Sequence, residues 1–351
     1  MRGVGVIGVG VWGCHSLEQT LAATGRARVV AVSTEDRWGE TQFDEAAVAR
    51  GRAYAEQLGA EYVADWRALV RRRDVDIVSV MVCPREKAAV IEEALRCGKH
   101  VVTDKPLAVS AKEAERVVAA ERLSSGCGFM LAGYHTRPLV GLLRERLASG
   151  ALGEIRSMTV RLCFMGGIYP GFRPTARWRS EIPSAELTTI GSHALVTMLR
   201  LIERPVTHVY GVCANRFYAE YAAVDAEDWA ELQLAFGGGA VGNILVARVP
   251  HRIPGEDIVI EVTGTSGHAH LDASGLTVWP GSESIAPPAT SHNALSETFS
   301  AYMDALDSGG SVPTSFTDGL ILQRVLDAAI ESARCRCVMA VGTDSQPAPA
   351  S

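Results

Sequence analysis

The sequence predicts an α/β chain in two parts, a parallel sheet wound with helices over residues 1–123 and an α+β half over residues 124–342. Three observations carry this. Up to about Leu123, short Val- and Ile-rich segments alternate with helix-patterned ones, the mark of βαβ units. Beyond it the apolar runs lengthen and follow one another through Gly-rich turns. At 351 residues and 47% hydrophobic content, the chain suffices for two cores at roughly 150 residues per domain.

Val4–Ile7, Arg28–Ser33, Ile77–Val82 and His100–Thr103 read as strands buried on both faces. Helices fill the gaps. Asp65 is placed to cap a helix starting at Trp66, a second runs Arg85–Cys97 and stops at Gly98, and Ser110 with Glu113 forms a capping box opening Ala111–Leu123. In the second half Glu154–Phe164, Val206–Ala214, Trp229–Phe236, Ala240–Arg248, Asp257–Thr263 and His268–Asp272 read as strands. Polar and apolar residues alternate through Glu231–Phe236, which predicts one sheet face more exposed than the other. Helices at Pro138–Ser149, Thr189–Ile202, Leu295–Ser308 and Asp318–Arg334 are expected to cover the other face, and the tail 343–351 is expected to fray.

With 34 Lys+Arg against 40 Asp+Glu and a net charge of −6, the surface offers phosphates no basic patch, so nucleic acid is not an expected partner. No apolar run approaches the roughly 18 residues that cross a bilayer. The N-terminal stretch has five glycines between Gly3 and Gly13 and so reads as structure rather than a secretory leader. Eight scattered Cys with no CxxC read as reduced thiols of a cytoplasmic protein. Cys335-Arg-Cys337 has no thioredoxin-like setting, and His268-Ala-His270 places two imidazoles on one strand face without a third ligand, so no metal is expected.

Gly8-Val-Gly10-Val11-Trp12-Gly13 follows a predicted strand and opens a helix, the context that makes GxGxxG a dinucleotide-binding loop. Gly8 permits the tight turn, Gly10 lets the backbone approach a pyrophosphate, and Gly13 allows close helix–strand packing. At the end of the second strand, where an acidic residue reads the adenosine ribose, stand Thr34, Glu35, Asp36 and Arg37. Glu35 would accept the ribose hydroxyls and repel a 2′-phosphate, whereas Thr34 and Arg37 suit that phosphate. NAD(H) is favoured over NADP(H).

The strand His100–Thr103 runs into Asp104-Lys105-Pro106, at the end of a sheet where open α/β folds bind ligands. Burial and a neighbouring cationic ring would bring the Lys105 amine towards neutrality, fitting it to exchange a proton with an alcohol. The string Ala94–Ala108 around it resembles the "aGkhVl.EKPla" motif of the Gfo/Idh/MocA oxidoreductases, with Asp104 in place of Glu. The resemblance continues through Tyr134-His135-Thr-Arg-Pro138, Gly150–Ile155, Trp178-Arg179, Gly191-Ser-His193, Asp228–Ala230, Val262–Gly267 and Ala329–Ala333.

The resemblance implies an N-terminal Rossmann domain followed by an α+β domain with a large, mostly antiparallel sheet, and assembly as a homodimer or homotetramer. It implies hydride transfer between nicotinamide and a carbinol or carbonyl carbon of a sugar, sugar derivative or cyclitol. Lys105 would bind the reacting oxygen and act as acid/base, and His193 would lie beside the substrate. Tyr134, His135 and Trp178 would line the pocket, and Cys83 and Pro84 the nicotinamide side. Four positions depart from the family. Thr189 and Val196 replace carboxylates, and Pro84-Arg-Glu-Lys-Ala88 alters two positions of Pro-Asn-x-x-His, so a substrate other than the commonest polyol is expected. Arg179, in an Arg-rich loop with Arg173 and Arg177, is a candidate clamp for an acidic or nucleotide-linked sugar. Two alternatives remain open: cofactor-retaining lyase or hydrolase chemistry, and non-catalytic dinucleotide sensing.

Overall fold

The structure is a computed structural model describing residues 1–9, 14–34, 45–132, 134–165, 179, 182–251, 258–281, 283–287 and 294–342. It divides into two compact units, Met1–Ala132 with Ser291–Leu320, and Gly133–Thr290 with Ile321–Ser351.

In the first unit, β1 (Arg2–Ile7), β2 (Ala27–Ser33), β3 (Glu61–Tyr62), β4 (Ile77–Val80), β5 (His100–Asp104) and β6 (Gly128–Leu131) form one sheet in the order β3-β2-β1-β4-β5-β6. Every pairing is parallel. This is the doubly wound order, whose direction reverses between β1 and β4 and opens a crevice at the strands' carboxyl ends. Helices α1 (Cys14–Ala23), α2 (Glu45–Leu58), α3 (Trp66–Val70), α4 (Pro84–Arg96) and α5 (Ala111–Arg122) connect the strands. The local signals are realised. Asp65 accepts from the Arg67 N–H at 2.9 Å, Ser110 accepts from the Glu113 N–H at 3.3 Å, and Gly98 takes φ +71° just past α4. The reciprocal arm of the capping box differs, since the Glu113 carboxylate receives the Val109 N–H at 3.4 Å rather than that of Ser110.

Two features depart from the sequence expectation. The division falls after Ala132 rather than at 123/124, because β6 completes the parallel sheet by pairing with β5. The helix Ala294–Ser308, expected to cover the second sheet, belongs to the first unit. Its Tyr302 stacks on Phe129 of β6 (centroids 4.9 Å) and its Phe299 meets that ring edge-on at 6.0 Å. Arg26 at the start of β2 and Arg2 of β1 pair with Asp304 and Asp307 of the same helix. An apolar stripe specifies that a helix must be buried, and the matching surface, Phe129 for Phe299, lay on a strand about 170 residues upstream.

The second unit holds a nine-stranded sheet in the order β14-β13-β12-β11-β7-β10-β9-β8-β15. Its strands are β7 (Ile155–Met165), β8 (Val206–Ala214), β9 (Trp229–Phe236), β10 (Val241–Val249), β11 (Val259–Gly264), β12 (His268–Asp272), β13 (Gly275–Trp279), β14 (Glu283–Ile285) and β15 (Met339–Ala340). All pairings are antiparallel except β7 with β10. Burial alternates along β9, with Glu231, Gln233 and Ala235 exposed, as the pattern predicts. The helix Ser192–Ile202 lies on the closed face, so tightly that a Cβ on Gly242 of β10 would meet the Met198 sulfur at 2.4 Å. Helix α6 (Pro138–Ala148) packs near β12 and β13 on the same sheet.

Candidate active site

In the first unit those of the expected cofactor residues that are described lie at the carboxyl ends of adjacent strands. Gly8 follows β1 with φ +93°, and a Cβ there would lie 2.5 Å from the Met81 carbonyl oxygen, so both conformation and space demand glycine. Thr34 directly follows β2 and is 5% exposed. Cys83, which is buried, and Pro84 open α4 just past β4. Asp104 ends β5, and the Lys105 N–H donates to the Leu131 carbonyl at 3.1 Å. Gly10, Val11, Trp12, Gly13, Glu35 and Arg37 lie outside the described residues. Gly8, at the switch point of a parallel sheet and ahead of α1, stands where doubly wound folds receive a dinucleotide.

Sequence reading missed Lys87. Its side chain is 1% exposed, and its ammonium donates to Asp104 Oδ1 at 2.5 Å, the Asp104 carbonyl at 2.9 Å and the Pro106 carbonyl at 3.0 Å. All three acceptors flank Lys105, so the segment carrying that amine is held on both sides by one buried cation. The clue was in the periodicity: Lys87 falls on the apolar face of α4 with Ile91, Ala94 and Leu95, where an unpaired lysine would be costly. Thr103 adds a second brace by donating from Oγ1 to the Val80 carbonyl at 2.8 Å.

Glu18 on α1 was also missed. Buried at 1% exposure, it accepts from Ser79 Oγ at 2.9 Å and Tyr54 OH at 3.1 Å, joining α1, β4 and α2. Burial lifts its carboxyl from 4.5 to about 7, against the opposing effect of these hydrogen bonds. The folded state therefore holds this proton more tightly than the unfolded chain. Its contribution to stability is full below about pH 4.5 and is lost as pH rises to about 7, a change on the order of 3 kcal/mol. Glu18→Gln, which mimics the neutral carboxyl, should flatten the stability profile across that window and melt above the parent at pH 8. Thermal melts from pH 5 to 8 check this, and an unchanged slope in the variant would remove Glu18 as its source.

In the second unit the helix Ser192–Ile202 follows a single π-helical turn, Leu187–Gly191. His193, half-buried in its first turn, meets Tyr134 edge-on with ring centroids 5.1 Å apart. Tyr134 also lies 6.4 Å from Phe164 and carries the Arg137 guanidinium 4.1 Å above its ring. His135 is half-buried beside them in sequence. Tyr134 and His193, 59 positions apart, are thus brought together by the fold.

Thr189, at the position of a family carboxylate, donates from Oγ1 to Glu186 Oε2 at 3.0 Å. The same carboxylate, fully buried, receives Arg248 Nε at 3.1 Å and Tyr221 OH at 2.7 Å. Burial pushes the Glu186 carboxyl upward while Arg248 pulls it back, which favours the ionised, paired form less than in water. The sequence reading did not include Glu186, because a single Glu before a helix has no spacing that announces a partner 62 residues away.

Arg179, the candidate anion clamp, donates from Nε to the Asp225 carbonyl at 2.8 Å and from Nη1 to the Ile182 carbonyl at 2.9 Å and the Pro183 carbonyl at 3.4 Å. It braces the backbone here. Trp178, Arg173 and Arg177 lie outside the described residues. Asp228 ties a turn, accepting the N–H groups of Arg216, Phe217 and Tyr218 at 2.7–2.8 Å. His270 contacts Glu261 (3.3 Å) and Asp272 (3.4 Å), while among the described residues no three His, Cys, Asp or Glu side chains converge to hold a metal.

Comparison with known proteins follows the same division. Residues 2–131 match an oxidoreductase family with an NAD-binding Rossmann fold, and residues 140–270 match the GFO/IDH/MocA C-terminal domain. A dTDP-3,4-didehydro-2,6-dideoxy-alpha-D-glucose 3-reductase from Saccharopolyspora spinosa is 27% identical, the match covering 71% of this chain and 69% of that protein. Inositol 2-dehydrogenase 1 from Saccharopolyspora erythraea is 26% identical over 94% of this chain and 93% of its own length. Among solved structures, levoglucosan dehydrogenase in complex with NADH and levoglucosan superposes with a TM-score of 0.82 at 21% identity, covering 97% of this chain and all of that one, a likeness of fold.

Proposed function

The chain belongs to the Gfo/Idh/MocA oxidoreductase family, and from that premise we propose how its residues serve an NAD(P)-dependent sugar or cyclitol oxidoreductase. The observation that supports the reading best is the Asp104-Lys105-Pro106 segment at the end of β5, held by buried Lys87 beside the glycine turn of a doubly wound sheet. When bound, the nicotinamide supplies the acceptor or donor of a hydride. Gly8, Gly10, Val11, Trp12 and Gly13 hold the pyrophosphate, Thr34, Glu35 and Arg37 face the adenosine ribose, and Cys83, Pro84 and Asp104 border the nicotinamide.

Lys105 binds the reacting oxygen through its ammonium or amine. In the oxidative direction it takes the hydroxyl proton, and in the reductive direction it gives that proton to the alkoxide. His193, oriented by the Tyr134 ring, positions the same oxygen or relays the proton to water. Tyr134, His135, Trp178 and Thr189 line the substrate side. Because Thr189 supplies a hydroxyl where relatives of the family place a carboxylate, the substrate class proposed is a sugar or cyclitol with fewer hydroxyls to be accepted there, a deoxy-sugar derivative included. The test is a panel of deoxy-sugars, sugars and inositols assayed by nicotinamide absorbance. Stoichiometric absorbance change supports the dehydrogenase or reductase, whereas product formed with none would support cofactor-retaining chemistry.

NAD(H) is the cofactor proposed, on Glu35 after β2. One observation favours NADP(H) as a second reading. The Tyr62 hydroxyl hydrogen-bonds Thr34 Oγ1 at 2.9 Å, and the Arg52 guanidinium lies 4.6 Å above the Tyr62 ring, which brings a cation to the border of the ribose site. Under the NAD(H) reading, Arg52→Ala leaves KM for NAD⁺ within about twofold. Under the other it raises KM for NADP⁺ by about 10- to 100-fold while sparing NAD⁺. Initial rates with both cofactors decide between them. A cytoplasmic location and assembly as a homodimer or homotetramer are proposed with this reading. The exposed Tyr210, Val212 and Val241 on the nine-stranded sheet support assembly, and among the described residues no helix is long and apolar enough to cross a membrane.

A further inference from the structure

We propose that Cys335, Cys337 and Met339 form a three-sulfur site for a soft monovalent metal ion, copper(I). The site lies where the helix Phe316–Cys335 ends and β15 begins. The Met339 sulfur accepts from both thiols, 3.9 Å from Cys335 Sγ and 3.7 Å from Cys337 Sγ. With a third edge of similar length, such a triangle of sulfurs would have its centre about 2.2 Å from each vertex, close to the roughly 2.3 Å of a thiolate bond to a first-row d¹⁰ ion. Van der Waals packing alone would allow similar spacings, so the backbone that holds the triangle matters.

That backbone is tied at both arms. Arg336 takes φ +57°, a left-handed turn that reverses the chain between the two cysteines. The Ser332 hydroxyl donates to the Cys337 carbonyl at 2.5 Å and itself receives the Gly211 N–H of β8 at 2.9 Å. Met339 pairs with Val209 in the sheet. Both cysteines are exposed and Met339 is half-buried, so an ion reaches the sulfurs without opening the fold.

The donor set selects the ion. Two thiolates and a thioether are soft ligands, and thioether sulfur distinguishes copper(I) from zinc, which prefers thiolate, imidazole and carboxylate in fours. Among the described residues no third His, Cys, Asp or Glu joins the pair to make a zinc site. Binding forms three copper–sulfur bonds and releases one proton from each thiol to solvent, leaving a complex of net charge −1. No electron is transferred.

The test uses the reduced full-length chain, titrated without oxygen against copper(I) held by bicinchoninate and read by loss of the coloured chelate. The expected result is transfer of one copper per chain, weakened about 100-fold in Cys335→Ser or Cys337→Ser and about 10-fold in Met339→Leu. Nicotinamide-dependent turnover of all three variants should match the parent, because none of these residues belongs to the proposed active site. Absence of transfer to the parent chain would overturn the proposal. So would undiminished transfer to Cys335→Ser/Cys337→Ser, which keeps the other six cysteines, or preference for zinc over copper(I) in competition. Full affinity in Met339→Leu would reduce the site to a dithiolate and overturn the three-sulfur assignment.

Discussion

Lys105→Ala should lower kcat by about 10²- to 10⁴-fold, the usual worth of a positioned acid or base, while the melting temperature stays within a few degrees of the parent. Lys105 is half-buried at the end of β5, and its backbone N–H, not its amine, completes the sheet through the Leu131 carbonyl. The diagnostic is the shape of the pH profile. In the oxidative direction the parent should gain rate as the amine loses its proton, and Lys105→Ala should lose that limb. Lys105→Arg keeps a cation to bind oxygen but cannot accept its proton, so it should retain binding and lose turnover. Unchanged kcat in Lys105→Ala with an unchanged profile would remove the residue from the mechanism.

The second large effect is expected at Lys87, which touches no proposed substrate atom and acts as a positioning residue. Lys87→Met preserves length but removes the donor shared by Asp104 and the Pro106 carbonyl, leaving acceptors on both sides of Lys105 without their partner. The cost is about 2–4 kcal/mol, with a fall of roughly 5–15 °C in melting temperature. Asp104→Asn should cost less, because its carboxylate is 52% exposed and the amide oxygen still accepts. A shift of about 1 Å at Lys105 is enough to reduce kcat some 100-fold, so Lys87→Met should lose turnover with KM for the cofactor little changed. Measured below the variant's melting point, equal kcat in Lys87→Met and the parent would make Lys87 a purely structural residue.

The two mutations probe different levels of legibility. Lys105 was found in the sequence because a lysine at a strand end before proline sits within a string resembling a known motif. Lys87 lay in the same stretch and was passed over, although its place among Ile91, Ala94 and Leu95 on α4 marked it as a buried cation. Finding it required asking which acceptor would compensate its desolvation, and that acceptor was 17 positions away on another element. Arg179 illustrates the converse. Its residue type suits an anion, but its donors are directed at backbone carbonyls of a neighbouring turn. Thr189 was legible as a missing carboxylate, whereas the buried carboxylate it contacts, Glu186, was not.

By itself the sequence determined the alternation of strands and helices, the glycine turn after β1, the caps at Asp65, Ser110 and Gly98, and the place of Lys105 at a strand end. Each of these depends on spacings of a few residues, where periodicity and turn chemistry act directly. Only the tertiary structure decided that Ala294–Ser308 packs on Phe129, that Lys87 holds Asp104, that Tyr134 meets His193 and that Glu186 gathers Thr189, Tyr221 and Arg248. Local sequence states that a side chain needs a partner. Which partner it finds is set by packing between distant segments, where many apolar stripes and many acceptors satisfy the same local demand and only shape complementarity over the whole unit selects one.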